Sequence, residues 1–455
     1  MADVSSAVSG LSKNFSGRLL LPGDIDWETA RRVHNGLVDK RPALIAQCLG
    51  AADIAAAVRF AREQSLEIAV RGGGHNVSGR GTIDDGIVID LSPLKYTLVD
   101  PKARTARVGG GTLWGHLNRE TQAHGLATTG GVVSTTGVAG LTLGGGLGWL
   151  SPKFGNALDN LLGVEIVLAD GRIARASADE NPDLFWAVRG GGGNFGAVSS
   201  FEFRLHPLGP MATGGLIAWP AADARETLRL FRDLADKASD DVSLVAALMT
   251  APDGVTKIAA MAAGYFGPSA VAERVVKPIR SFGRPIMDTL GPITYEEINT
   301  RFDASLPRGA RNYWKSQFCE ELSDAAIDAM VECQKTCPSP MSMILIEHFH
   351  GAATRIAPVK TAFALRARGF NALVLSQWSA PDGDTACIRW ARETFAALGP
   401  FVRPSVYVNY LDQDDTGAAA LALAYGSNVQ RLKSIKAKYD PQNVFHVNVN
   451  IPPEA

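Results

Sequence analysis

Arg71-Gly72-Gly73-Gly74-His75-Asn76-Val77-Ser78-Gly79 is the stretch on which the reading of the chain turns. It follows an apolar run, Leu66-Glu67-Ile68-Ala69-Val70, whose composition predicts a short buried strand. Three consecutive glycines bring no side chain to a core. They let the backbone take positive φ and come close to another molecule. Successive N–H groups in such a turn can converge on one point, forming a concave anion site suited to a pyrophosphate. His75, a nucleophilic imidazole, closes the turn. An anion cradle with a histidine at its rim points to a bound nucleotide cofactor within that histidine's reach. The plain alternative is a Gly-rich hairpin with a surface histidine, since short glycine motifs recur by chance. The rest of the chain weighs against it.

A chain of 455 residues is long for one core, so two domains are expected. Apolar content is 46%, charged content 20% and net charge −1, which gives no long-range attraction for nucleic acid or an anionic membrane surface. No run of eighteen apolar residues exists, so no membrane span is expected. The five cysteines, Cys48, Cys319, Cys333, Cys337 and Cys387, have no repeated spacing and are odd in number. That excludes a disulfide framework, and Cys333 and Cys337 lack a second ligand pair for zinc. With no apolar signal segment near Met1, the expected location is the reducing cytoplasm. Oligomeric state is left open by the sequence.

The opening pattern is strand, helix, strand: Ala43–Ala46, then Asp53–Gln64 with Asp53 as expected N-cap, then Ile68–Val70. Short strands follow to Val108, a helix over 113–124, and then Gly130–Gly148, GGVVSTTGVAGLTLGGGLG. This segment is almost uncharged and mixes glycine with Ser134, Thr135 and Thr136. Such a segment packs poorly against protein but well against a large flat ligand and its phosphates. Interleaved apolar residues argue against a flexible linker. Asp170-Gly171 marks a hairpin turn. Gly191-Gly192-Gly193-Asn194-Phe195-Gly196 matches G-x-G-x-x-G, but it follows a predicted helix and opens a strand, the reverse of a Rossmann site. From 211 onward the glycine clusters thin out, and strands alternate with helices at 223–237, 268–282, 323–335 and 384–398. These patterns predict a layered α+β domain over 211–410 between a first domain, 1–210, and a closing segment, 411–455.

Together these motifs and the tail Tyr439-Asp440-Pro441…Asn443…Phe445…Asn448…Asn450 resemble the FAD-linked oxidases of the vanillyl-alcohol oxidase superfamily. The closer resemblance is to its berberine-bridge-enzyme-like and 6-hydroxy-D-nicotine-oxidase-like branch, and it covers about 41–451. It implies an α+β, two-domain FAD-binding fold of the PCMH type with an inserted antiparallel-sheet substrate domain. It implies FAD bonded covalently to His75. Many relatives add a cysteine tether in the segment matching 131–136, but Val133 stands there, so a single link is expected. Thr136 matches a position that governs oxygen access to the flavin. Around the first glycine turn the cofactor set is Arg71, Gly72, Gly73, Gly74, His75, Asn76 and Gly79. From the second segment come Gly131, Ser134, Thr135, Thr136, Gly140, Gly145 and Gly148. Gly196, Val198, Asn448 and Asn450 complete it, the two asparagines expected on one side of an extended tail.

The implied reaction takes a hydride from an alcohol or amine carbon of a small organic substrate, with molecular oxygen as acceptor and peroxide as product. A flavin dehydrogenase using another acceptor, or a secondary-metabolite tailoring flavoenzyme, are the alternatives. A base is needed for the departing proton. Candidates are Glu347, His348 and His350 on one predicted strand, and Tyr407 and Tyr410 on 406–410. Alternation puts His348 and His350 on one side and Glu347 on the other. No metal site is expected of them. The glutamate base of berberine bridge enzyme aligns near Asn371, which cannot serve as a base, so berberine-like ring closure is not expected.

Overall fold

Parallel strands need a crossover, and the chain begins with one. The computed structural model describes residues 4–454. Its first sheet has the order Arg18–Leu20, Leu44–Gln47, Ile87–Asp90, Ile68–Arg71. The last three run parallel. Helix Ala51–Glu63 makes the crossover and buries Ile54, Ala57, Val58, Phe60 and Ala61. Asp53 is not its N-cap. Gly50 occupies that place, and the Asp53 carboxylate instead accepts from the backbone N–H of Ser16 and Leu49, at 2.8 and 2.9 Å.

A five-stranded antiparallel sheet follows, ordered Thr97–Asp100, Thr105–Gly109, Ala197–Arg204, Leu161–Val167, Ile173–Ser177. Gly171, at φ +81°, makes the expected turn between the last two. The Gly130–Gly148 segment crosses between sheets and contains one short helix, Val138–Leu143, that its glycine content hid.

The largest sheet is antiparallel and ordered Met287–Asp288, Met211–Pro220, Lys257–Tyr265, Val242–Thr250, Met343–Phe349, Gly369–Trp378, Arg311–Cys319, with Gly291–Thr294 also on Met211–Pro220. Helices Ala224–Lys237, Asp324–Lys335 and Asp384–Leu398 cover one face. Phe231, Ile327, Met330, Trp390 and Ala391 pack there with Ile344, Ile346, Ala372 and Val374. The opposite face, carrying Trp314, Leu345, Glu347, Leu373 and Leu375, is left for the site.

Helices Gly417–Tyr425 and Val429–Tyr439 then return the chain to the first half, sharing a core with Val198, Phe201 and Phe203. The expected α+β, two-domain architecture is present. Among the described residues no helix is long and apolar enough to cross a membrane. All five cysteines are free.

A buried ion pair locks the returning segment. The Lys436 ammonium donates to Asp440 at 2.6 Å and to the carbonyls of Asn194 and Phe445 at 2.7 and 2.9 Å, and both side chains are fully buried. Asp440 also accepts from the N–H groups of Val444 and Phe445. Removing one partner of such a pair strands a buried charge. Lys436→Met should therefore cost about 3–5 kcal/mol, read as a lowered urea midpoint and melting temperature.

Candidate active site

One continuous cleft runs from the first glycine turn to the open face of the large sheet. It encloses about 1670 Å³, solvent at its mouth included.

Its closed end is backbone. A Cβ on Gly73 would lie 2.6 Å from the Cα and N of Gly137, and one on Gly137 would lie 2.5 Å from the N of Gly73. The two glycine segments thus touch main chain to main chain. That contact brings His75 and Thr136 to the same end of the cleft. Residues Arg71 to Asn76 all border it, as do Gly131, Thr136, Gly140, Gly196 and Val198.

Six expected contributors do not border it. Gly79 makes a tight turn against the Val38 side chain, where a Cβ would come within 2.6 Å. Ser134 points to Asp303, its N–H and hydroxyl donating to that carboxylate at 2.9 and 2.5 Å. Thr135 is exposed, its hydroxyl 3.4 Å from His75 Nε2. Gly145 packs under the rings of Phe363 and Tyr407, and Gly148 against the carbonyl of Gly130. In the tail Asn448 borders the cleft but Asn450 does not, and Val449 does instead. Residues 446–450 form no regular strand, so the alternation assumed for them lapses.

Two residues outside the expected set fasten this wall. Arg80 borders the cleft and donates to the carbonyls of Asn448 and Asp415, at 3.0 and 3.4 Å. Asn194 holds the tail through Val449 and Ile451, at 3.1 Å each. Arg80 follows the glycine turn directly and Asn194 lies inside the G-x-G-x-x-G match. Polar residues beside glycine turns were the available signal.

Burial sets the charge state here. Desolvation, then the neighbouring His34 and the Arg308 cation, bring His75 down to about 3, so its imidazole is neutral and nucleophilic. Arg71 pairs with buried Asp90 through Nε and Nη2, at 3.3 and 2.9 Å, while its buried Nη1 has no partner.

At the other end, Glu347 lies across the ladder from Asn371. Asn371 donates to Glu347 Oε2 at 2.7 Å, and the Tyr410 hydroxyl to Oε1 at 3.0 Å. Burial raises the Glu347 pKa, and these two hydrogen bonds only partly oppose it. Tyr407 accepts from the N–H groups of Gly146 and Leu147 and from Asn409, at 2.9, 3.3 and 2.8 Å. Its own burial still pushes it up to about 12. Glu347, Tyr407 and Tyr410 all border the cleft.

His348 and His350 do not. They stack on each other at 4.0 Å on the helix-covered side of the sheet, with His348 against Phe370. The alternation that sets Glu347 facing the cleft turns them away, and neither can reach a substrate there.

Comparison with known proteins agrees with this geometry. Residues 42–177 match the FAD binding domain family, and residues 406–452 match the berberine and berberine-like family. The chain is 33% identical to (R)-6-hydroxynicotine oxidase of Paenarthrobacter nicotinovorans, over 97% of this chain and 98% of that one. The chain belongs to the berberine-bridge-enzyme-like FAD-linked oxidoreductases. Among solved structures, 6-hydroxy-D-nicotine oxidase of Arthrobacter nicotinovorans superposes with a TM-score of 0.88 at 32% identity, covering 97% and 98% of the two chains. Glucooligosaccharide oxidase of Acremonium strictum, described with a 6-S-cysteinyl, 8α-N1-histidyl FAD, superposes with a TM-score of 0.89 at 26% identity, covering 99% and 100%.

The residues present fit FAD. Glycines border the cleft where a flat ring system and a pyrophosphate would need close approach, and a Cβ added at Gly140 would meet nothing within 4 Å. The unpartnered Arg71 Nη1 is a buried donor that calls for an acceptor. The Gly73–Gly137 contact yields a direct test. Gly73→Ala must push the two segments apart, and the purified protein should carry much less flavin absorbance per chain than wild type while keeping its circular-dichroism spectrum.

Proposed function

We propose that the protein is an FAD-dependent oxidase of a compact, largely apolar alcohol or amine, with Glu347 as base, molecular oxygen as final acceptor and hydrogen peroxide as product. The observation that carries this is the Glu347 carboxyl, the one carboxylate bordering the substrate end of the cleft among the described residues. FAD, when bound, would accept a hydride, and with it both electrons, at its ring N5.

The chain's residues supply the rest. Glu347 takes the proton from the substrate O–H or N–H as the adjacent carbon loses hydride. Asn371 and Tyr410 each occupy one lone pair and fix the carboxyl's orientation, leaving the others free. Its raised pKa makes it a stronger base than an exposed carboxylate. Tyr410 remains a neutral donor because burial and the Glu347 charge push its pKa well above the usual value.

Leu306, Trp314, Leu345, Leu373 and Leu375 line the same cleft as this carboxyl. An oligosaccharide would leave its hydroxyls unpaired against such a wall, at about 1–3 kcal/mol for each buried one. A small ring or chain with one nitrogen or oxygen suits it. The similarity to an enzyme named as a 6-hydroxynicotine oxidase supports the same class. Thr136, small and half-buried, leaves the cleft passable for oxygen.

The covalent link proposed is single, through His75. Val133 borders the cleft in the segment where the family resemblance implies a cysteine tether in many relatives, and none of the five cysteines borders it. Acid-precipitated wild-type protein should stay yellow, and His75→Ala should release all its flavin. Peroxide should form one for one with oxidised substrate under air. Turnover only with an added dye would instead make the enzyme a dehydrogenase. Glu347→Gln should lower kcat/KM by about 10²–10⁴-fold. In wild type the rate should fall as pH drops through the raised Glu347 pKa, and that acid limb should vanish in the variant.

A further inference from the structure

His75 sits on a glycine turn with no regular structure to fix its side chain, yet its imidazole is not loose. His34, from a stretch far away in sequence, stacks on it with ring centroids 3.8 Å apart and planes at 23°. We infer that His34 is a positioning residue for the covalent attachment of FAD, holding the His75 ring by face-to-face stacking in the orientation from which it attacks. This inference rests on the His75 link proposed above.

The place of His34 is itself rigid. Its N–H donates to the carbonyl of Gly74 at 2.9 Å, and its carbonyl accepts from Gly309 at 2.9 Å. Asn35, next to it and buried, donates to the carbonyl of Val77 at 2.6 Å. The same side chain donates to the carbonyl of Asn312 and accepts its N–H, each at 2.8 Å. The pair His34-Asn35 therefore grips the turn on both sides of His75, at Gly74 and Val77, and ties it to the large sheet. His34 Nε2 is buried with no hydrogen-bond partner. What the ring offers is its face, and that face lies on His75. The stack requires uncharged rings, because two imidazolium ions at this distance repel. Burial, with Arg308 nearby, lowers His34 to about 4.

In the attachment a C–H bond of the flavin 8α-methyl and the N–H of neutral His75 break, and a C–N bond forms. The two protons and the electron pair of the C–H bond go to the flavin ring, which leaves it reduced by two electrons. Molecular oxygen, the proposed acceptor, then reoxidises it and is released as hydrogen peroxide. His34 takes no part in these bonds. It limits the directions in which the attacking nitrogen can point, and misplacing a reacting group by about 1 Å can cost about 10²-fold in rate.

The test uses full-length His34→Ala, His34→Gln and His34→Phe, produced flavin-free in a riboflavin-starved host and then mixed with FAD. Covalent attachment is followed by intact mass and by fluorescence of the denatured band, and total bound flavin by absorbance. His34→Phe keeps a stacking ring and should attach FAD at close to the wild-type rate. His34→Ala and His34→Gln should bind FAD yet attach it about 10–10²-fold more slowly. Attachment at the wild-type rate in either non-aromatic variant overturns the inference, as does failure of His34→Phe to exceed them. Should His34→Ala not fold, His34→Gln against His34→Phe decides. If wild type itself holds no covalent flavin, it is the His75 link that fails, a result distinguishable from the others.

Discussion

Everything at the closed end of the cleft depends on one contact between two main chains. Gly73 and Gly137 lie so close that neither has space for a Cβ. Glycine is costly in folding entropy, so such a contact persists only where proximity is worth more than side-chain packing. Here proximity sets His75, two residues beyond Gly73, and Thr136, one before Gly137, at the same end of one cavity. The carbonyl of Thr136 accepts from the N–H of Trp114 and the carbonyl of Thr112 from that of Val138, so the start of the helix that the fully buried Trp114 opens holds the second segment in register.

The opposite wall obeys a different rule. On the large sheet, side chains alternate between a helix-covered face and the cleft. Glu347 with Asn371, and Leu345 with Leu373, are paired across the ladder, and Glu347, Leu345 and Leu373 border the cleft. One residue further along each strand, His348 with Phe370 is buried against the helices. The strand can present a carboxylate or its two histidines to a ligand, but not both, and the apolar stripes of three helices decide which.

This explains what was legible in the sequence. The first glycine turn could be read because three adjacent glycines have no packing role to compete with a binding one. Alternation correctly separated Glu347 from His348 and His350, but it could not tell which face looked into the cleft, because that is settled by helices elsewhere in the chain. Asn371 reads as the loss of a carboxylate when its strand is taken alone. The cross-strand register shows an acid one strand away, hydrogen-bonded to that same asparagine. The tail misled because alternation presumes an extended strand. Lys436, Asp440 and Asn194 instead bend it through hydrogen bonds from two separate segments. Ser134 looked like a ligand donor, yet it is claimed by Asp303, a partner invisible to local reading. His34 belongs to the same class, since nothing near it hints at the glycine turn.

A single physical cause gives the two ends of the cleft their chemistry. Desolvation penalises charge of either sign, so it drives His75 toward the free base and Glu347 toward the acid. The cations nearby are already engaged, Arg71 by Asp90 and Arg80 by backbone carbonyls. The cleft is consequently poor in free charge for its size. In such a medium an approaching substrate nitrogen or oxygen feels few competing fields, and charge that develops on it is weakly screened. Asn371 and Tyr410 supply the compensating element, since each stabilises the ionised Glu347 more than the neutral acid. The carboxyl is thus held between burial, which favours the proton, and two donors, which favour its loss. A group so balanced is suited to accepting a proton in one step of a cycle and releasing it in the next.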